Sequence, residues 1–235
     1  MVRALIENHD SWINVLLIVF SYAALIFCML PIHEFAHALV ANKLGDPTAK
    51  WHGRLTLNPL KHLDKFGTLM MLLVGFGYAK PVPVDSRYFQ KPGRDLALTA
   101  LAGPVSNLLM AVLSVGIFAA IQLAFPNQLK VVGGMIYYNA DWILYAYIVL
   151  IEVFASVNLV LAVFNLLPIF PLDGSRIFGV FLPAKWNWKM QQYQHVISLV
   201  FLVLIFSGVL DKPLYWLQHF VGGGICHMFG LPNLF

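Results

Sequence analysis

Apolar residues in this chain run in long, nearly unbroken stretches, with little polar face to alternate against. Four stand out: Trp12 to about Leu44, Asp95 to Phe125, Trp142 to Leu167, and the shorter Val196 to Leu210. A helix needs about 20 apolar residues to cross the hydrocarbon core of a bilayer. The pattern predicts an all-α polytopic membrane protein with about four transmembrane helices, five or six if short or re-entrant segments are counted. The first stretch, as one helix, would be about 50 Å long at 1.5 Å per residue. It can cross and protrude, or kink at Pro31, whose ring opposes regular helix. Gly45-Asp46-Pro47 then supplies a stop signal.

Residues 45–94 differ in character, being rich in Pro, Gly and basic side chains. Within them Phe66 to Ala79 is apolar but too short and Gly-rich to span, and it reads as a re-entrant or β-like loop segment. Lys80-Pro81-Val82-Pro83-Val84 must be extended, since each Pro biases its predecessor away from helix. Pro126 to Asp141 reads as a loop. The third long stretch runs into Pro168-Ile169-Phe170-Pro171, where continuous helix fails, and Leu172 to Leu182 resumes as a short helix. The chain thus divides into a core, 1–182 (first helix 12–44, loop 45–94, second helix 95–125, broken helix 142–182), and a helical or amphipathic C-terminal extension, 183–235. Trp186 and Trp188 resemble interface anchors. Residues 211–235 are Gly- and aromatic-rich, with no legible element.

Composition agrees: 60% of the 235 residues are hydrophobic and 11% charged, against about 25% charged in a soluble domain. Charge adds an orientation. Lys43, Lys50, Arg54, Lys61, Lys65, Lys80, Arg87, Lys91, Arg94, Arg176, Lys185 and Lys189 fall on one side of four crossings. Only Arg3, Lys130 and Lys212 fall on the other. The positive-inside rule puts the basic loops in the cytoplasm and both termini outside. No basic run interleaved with aromatics suggests nucleic acid. Cys28 and Cys226 lack metal-ligand or disulfide spacing, and Cys28 reads as a small core residue.

Chemistry is concentrated in His33-Glu34-Phe35-Ala36-His37. Histidines four apart project from one helical face and can share one metal ion, with the glutamate beside them free to accept a proton. The chain has three glutamates, Glu7, Glu34 and Glu152; placing one inside an apolar helix is expensive in a bilayer and signals function. A catalytic zinc takes three protein ligands and keeps a fourth position open. Asp173 is the candidate third ligand. It follows backbone broken between two prolines, which at membrane depth must line protein or a cavity. Asp173 can alternatively be the N-cap of the short helix that begins there. The charge pattern, read independently, brings Asp173 and the two histidines to similar depth in the same leaflet.

At this point the chain resembles the site-2 protease family of intramembrane zinc proteases, its short prokaryotic branch in particular. The matching pieces are His33 to His37, Gly103-Pro104-Val105-Ser106-Asn107 and Asn165 to Gly174, with Gly53 to Pro59 and Lys80 to Pro83 also similar. The resemblance covers about residues 15–182. It implies zinc ligands His33, His37 and Asp173, one Zn²⁺ per chain, and Glu34 as general base. It also implies hydrolysis of transmembrane substrate helices near the cytoplasmic leaflet, in a prokaryotic cell membrane. Its partners are then the bilayer and a transmembrane protein substrate. Asn107 is a candidate oxyanion donor, or else helix-packing glue beside Gly103. Asn165 shares that ambiguity, and it can instead satisfy broken backbone near Asp173. His62 and Asp64 either shape the loop or approach the site. The competing classes are a metal-ion transporter using the same ligands and a non-catalytic membrane scaffold. Internal repeats would favour the transporter, and the sequence has none; the intact Glu34 disfavours the scaffold.

Overall fold

The computed structural model describes residue 23 and residues 25–74, 79–125, 129–132, 135–138 and 142–235. The beginning of the first apolar stretch therefore lies outside the described residues. From Leu25 a π-helical turn, Leu25–Met29, leads into helix α1, Leu30–Lys43. Pro31 offers no N–H to the carbonyl four residues back, and its ring crowds that carbonyl. The wider turn directly ahead of it lets the helix continue. α1 ends at Leu44, and Gly45 follows in left-handed backbone at φ 108°.

After a single helical turn at Thr48–Trp51, helix α2 is Lys65–Val74, so residues 66–74 of the expected re-entrant segment are helical, while Ala79 at its end bridges Leu63 in antiparallel β fashion. Asp64 Oδ1 caps it, accepting from Phe66 N at 3.0 Å and Gly67 N at 2.9 Å. Helix α3, Pro92–Ala124, is about 50 Å long at 1.5 Å per residue. Proline at its first turn sacrifices no bond. Asp95 Oδ2 accepts from Lys91 N at 2.9 Å and closes that turn. Strands β1, Leu129–Val132, and β2, Met135–Tyr138, pair antiparallel. This hairpin corrects the expected loop and qualifies the all-α expectation; Val131, Val132, Ile136, Tyr137 and Tyr138 are β-formers. Helix α4, Trp142–Asn165, follows, then a break, then the short α5, Asp173–Gly179. Helices α6, Ala184–Gln192, α7, Gln194–Phe206, and α8, Asp211–Met228, complete the chain.

α3 is the centre of the molecule and packs against α1, α4, α5 and α8. One face carries Thr99, Gly103, Asn107 and Ala111, four apart and buried, so neighbouring backbones can approach closely. The opposite face exposes Leu98, Val105, Leu109, Leu113 and Ile117. Among the described residues α3 is the helix long and apolar enough to cross a membrane by itself; α7 and α8, bent 82° apart, pass the same test as a pair. Four crossings are thus not established by the described residues.

Below the middle of α3 a core forms from Ala111, Val115, Ala155, Leu159, Ile225 and Cys226. The last residues of the chain, illegible in the sequence, return along α8. A β-carbon on Gly222 would sit 2.6 Å from Phe235 Cγ and 2.9 Å from Leu159 Cδ2, so only glycine admits the tail. Cys226 is buried there, whereas Cys28 is exposed on the π turn and is not the core residue expected.

The loop layer is tied together by a buried carboxylate that the sequence did not single out. Asp46 Oδ1 accepts from Thr48 N at 2.9 Å and from the Thr48 hydroxyl, and Oδ2 accepts from Asp85 N at 2.8 Å. Asp46→Ala removes the acceptor from both half-buried N–H groups. It should lower stability by about 2 kcal/mol, seen as a Tm lower by about 4–8 °C for a chain of this size; an unchanged Tm would refute this role.

Candidate metal centre

α1 brings His33 and His37 to one face because they are one turn apart. Both rings are buried, at 6% and 7% exposure. The third group arrives from a different part of the chain. α4 stops at Asn165, residues 166–172 form a chain of tight turns, and Asp173 opens α5. Leu172 occupies the N-cap position and Asp173 makes no capping bond, so its carboxylate is turned elsewhere. Gly174 makes the break compact: a β-carbon there would lie 2.6 Å from the carbonyl carbon of Leu166.

Asp173 Oδ2 lies 3.2 Å from His33 Nε2 and 3.2 Å from His37 Nε2, and the two Nε2 atoms are 3.1 Å apart. A tetrahedral zinc with bonds of about 2.0–2.1 Å keeps its ligand atoms about 3.3 Å apart. The triangle therefore has the edge length of three corners of such a site. The protonation pattern also fits. His37 Nδ1 is 2.7 Å from the Thr99 carbonyl, which can only accept, so Nδ1 carries the hydrogen and Nε2 presents its lone pair inward. Asp173 Oδ2 has no partner in hydrogen-bond geometry despite two nitrogens so near. The three atoms converge closely enough for one ion to touch all of them, and these residues suit a metal ion.

α3 closes the other side. A β-carbon on Gly103 would fall 2.5 Å from His33 Cε1 and 2.6 Å from His37 Cε1, so the imidazoles lie directly on this glycine's backbone. Asn107, one turn further along the same face, is fully buried, and neither amide atom has a hydrogen-bond partner among the described residues. The Thr99 hydroxyl, one turn back, is likewise buried and unpartnered. Glu34 is half-buried beside His33.

The remaining sequence candidates stand apart from this cluster. Asn165 donates from Nδ2 to the Leu161 carbonyl at 3.0 Å, along its own helix. His62 Nε2 pairs with the Thr56 carbonyl at 2.7 Å, while Asp64 caps α2. All three serve local backbone. The sequence reading passed over Thr99 as the histidine's partner and Gly103 as the cradle for both rings. The signal was present in the four-residue spacing of Thr99, Gly103 and Asn107 within an otherwise apolar helix.

Comparison with known proteins extends the picture. The model of peptidase family M50 matches residues 21–208. The chain is 44% identical over 185 residues to the "Putative zinc metalloprotease YwhC" of Bacillus subtilis (strain 168), covering 78% of each chain. It is 28% identical over 224 residues to the "Putative zinc metalloprotease Rip2" of Mycolicibacterium smegmatis, covering 90% of this chain and 77% of that one. The like-named protein of Mycobacterium tuberculosis (strain H37Rv) is 29% identical over 208 residues, covering 84% and 72%. No solved structure matches the chain significantly.

Gly103→Ala should abolish stoichiometric metal binding while the protein stays helical by circular dichroism. Gly116→Ala, whose added carbon meets only the movable Phe229 ring at 3.2 Å, should bind metal normally. Equal metal content in the two variants would show that the close approach at Gly103 is not required.

Proposed function

We propose an intramembrane reaction for this chain, which belongs to peptidase family M50, the site-2 protease family, and is a zinc-dependent metalloendopeptidase. The substrate is a transmembrane polypeptide, cleaved inside the bilayer near its cytoplasmic face. The observation that carries this reading is where the cluster sits on α3. Thr99 and Gly103 lie 7 and 11 residues beyond Pro92, about 10–17 Å along the axis. On the opposite face the exposed leucines, valine and isoleucine suit hydrocarbon rather than water. A substrate bond reaching the cluster would already be within the apolar zone. The basic loops, with 12 of the 15 Lys and Arg on one side of the expected crossings, favour the cytoplasm for the near end.

His33, His37 and Asp173 would hold the ion, one per chain. Zinc bound there supplies Lewis acidity toward a carbonyl oxygen and acidifies water. The protein's own groups do the rest. Thr99 fixes the His37 tautomer through its carbonyl. Glu34, projecting beside His33, accepts a proton from the attacking water and delivers it to the leaving amine. Asn107 keeps an unpaired amide N–H₂ buried on the site face of α3, available to a developing oxyanion without adding charge.

Glu34→Gln, compared with wild type on a panel of membrane-tethered substrates, should retain zinc at equal stoichiometry. Its cleavage rate should fall by about 10²–10⁴, the usual contribution of a positioned base. Cleavage at the wild-type rate by the variant would remove Glu34 from this role.

A further inference from the structure

A cavity of about 640 Å³ opens on the loop side of the metal cluster, between the start of α3, the helix α5 and the α6–α7 corner. Its size is that of a ligand site rather than a packing defect. Four carboxamides, Asn187, Gln191, Gln192 and Gln194, line it. Among the described residues Arg176 is its only charged lining residue, and no carboxylate lines it. None of these five side chains has a hydrogen-bond or ion-pair partner among the described residues. Asn187 is half-buried and the other four are exposed, so amide donors, amide acceptors and one cation all remain open to an occupant of the cavity.

The chemistry narrows the occupant. A carboxamide donates from nitrogen and accepts at oxygen, as does each unit of an extended peptide backbone; a phosphate needs donors alone. Gly93 lies exposed on the wall without a side chain to obstruct backbone approach, and Gly179 lets the Asn187 amide settle against α5. The location narrows it further. Phe170 and Ser175 line the cavity and bracket Asp173 in sequence. Gly93 and Leu96, at the other wall, precede Thr99 on α3 by six and three residues, a separation of about 5–9 Å. An extended chain covers that distance in about two or three residues.

We propose that this cavity binds the extended loop-side flank of the substrate, and that Arg176 selects an acidic residue about three positions from the scissile bond. The inference rests on the intramembrane peptidase reading, since it assumes that the chain passing the metal cluster is a polypeptide. It assigns to the four carboxamides a general grip on backbone and to Arg176 the side-chain preference.

The test measures binding without turnover. Three fluorescent heptapeptides of one sequence, with Asp, Asn or Lys at the central position, are titrated into the detergent-solubilised, zinc-loaded protein and followed by anisotropy. The Asp peptide should bind about tenfold more tightly than the Lys peptide. Arg176→Glu, which leaves the exposed α5 surface intact, should reverse that order at unchanged zinc content. Gln191→Leu with Asn187→Leu should weaken all three peptides together. Equal binding of the three peptides, or an order that persists in Arg176→Glu, overturns the proposal. Displacement of the Asp peptide by phosphatidylglycerol vesicles but not phosphatidylcholine vesicles also overturns it, in favour of a lipid headgroup site. Failure of the protease reading has a different signature: the binding order would hold while wild-type protein cleaves no tethered substrate.

Discussion

Two imidazole nitrogens and a carboxylate oxygen, 3.1–3.2 Å from one another in a buried setting, cannot coexist without positive charge among them. The lone pairs repel, and low-dielectric surroundings magnify that repulsion. A proton can bridge one pair; a metal ion satisfies all three at once. The two histidines come from α1 and the aspartate from beyond a broken helix about 140 residues later, so the site joins segments that local structure alone would leave apart. The fold around it is the means by which those segments are held at ligand distance.

α3 does most of that holding. Its two faces have opposite requirements, and the sequence meets both. On the site side the residues are small or polar, and at Gly103 the packing is so close that a single methyl would collide with both rings. On the other side large apolar side chains stand exposed, as expected where the solvent is hydrocarbon. The same logic of close approach recurs at Gly174, where the break before Asp173 folds onto α5, and at Gly222, where the tail settles on α8. Glycine appears where backbones or rings must touch, and those contacts set the geometry that the site requires.

Much of this was legible from residue types and spacing. The His33–His37 pair needed only the helical repeat. Asp173 needed the two prolines and the charge asymmetry, and the structure removes the competing N-cap reading by giving that position to Leu172. What stayed hidden depended on tertiary contact. Nothing local to Thr99 says that its carbonyl meets His37, and nothing local to Asp46 says that it joins Thr48 to Asp85. The β1–β2 hairpin lies in 126–141, which reads as a loop between two long apolar stretches, although β-branched and aromatic residues fill the strands. The C-terminal tail was opaque for a similar reason: Gly222 and Phe235 acquire meaning only from each other. Cys28 was misplaced because an apolar helix in a membrane has no reason to bury every small residue.

The most direct test of the account is zinc K-edge X-ray absorption on the purified, metal-loaded protein and on Asp173→Asn. The account predicts two imidazole nitrogens and one carboxylate oxygen at about 2.0–2.1 Å, no sulfur, and an oxygen shell that changes in the variant. A spectrum identical in the two proteins, or one with sulfur ligands, would contradict it.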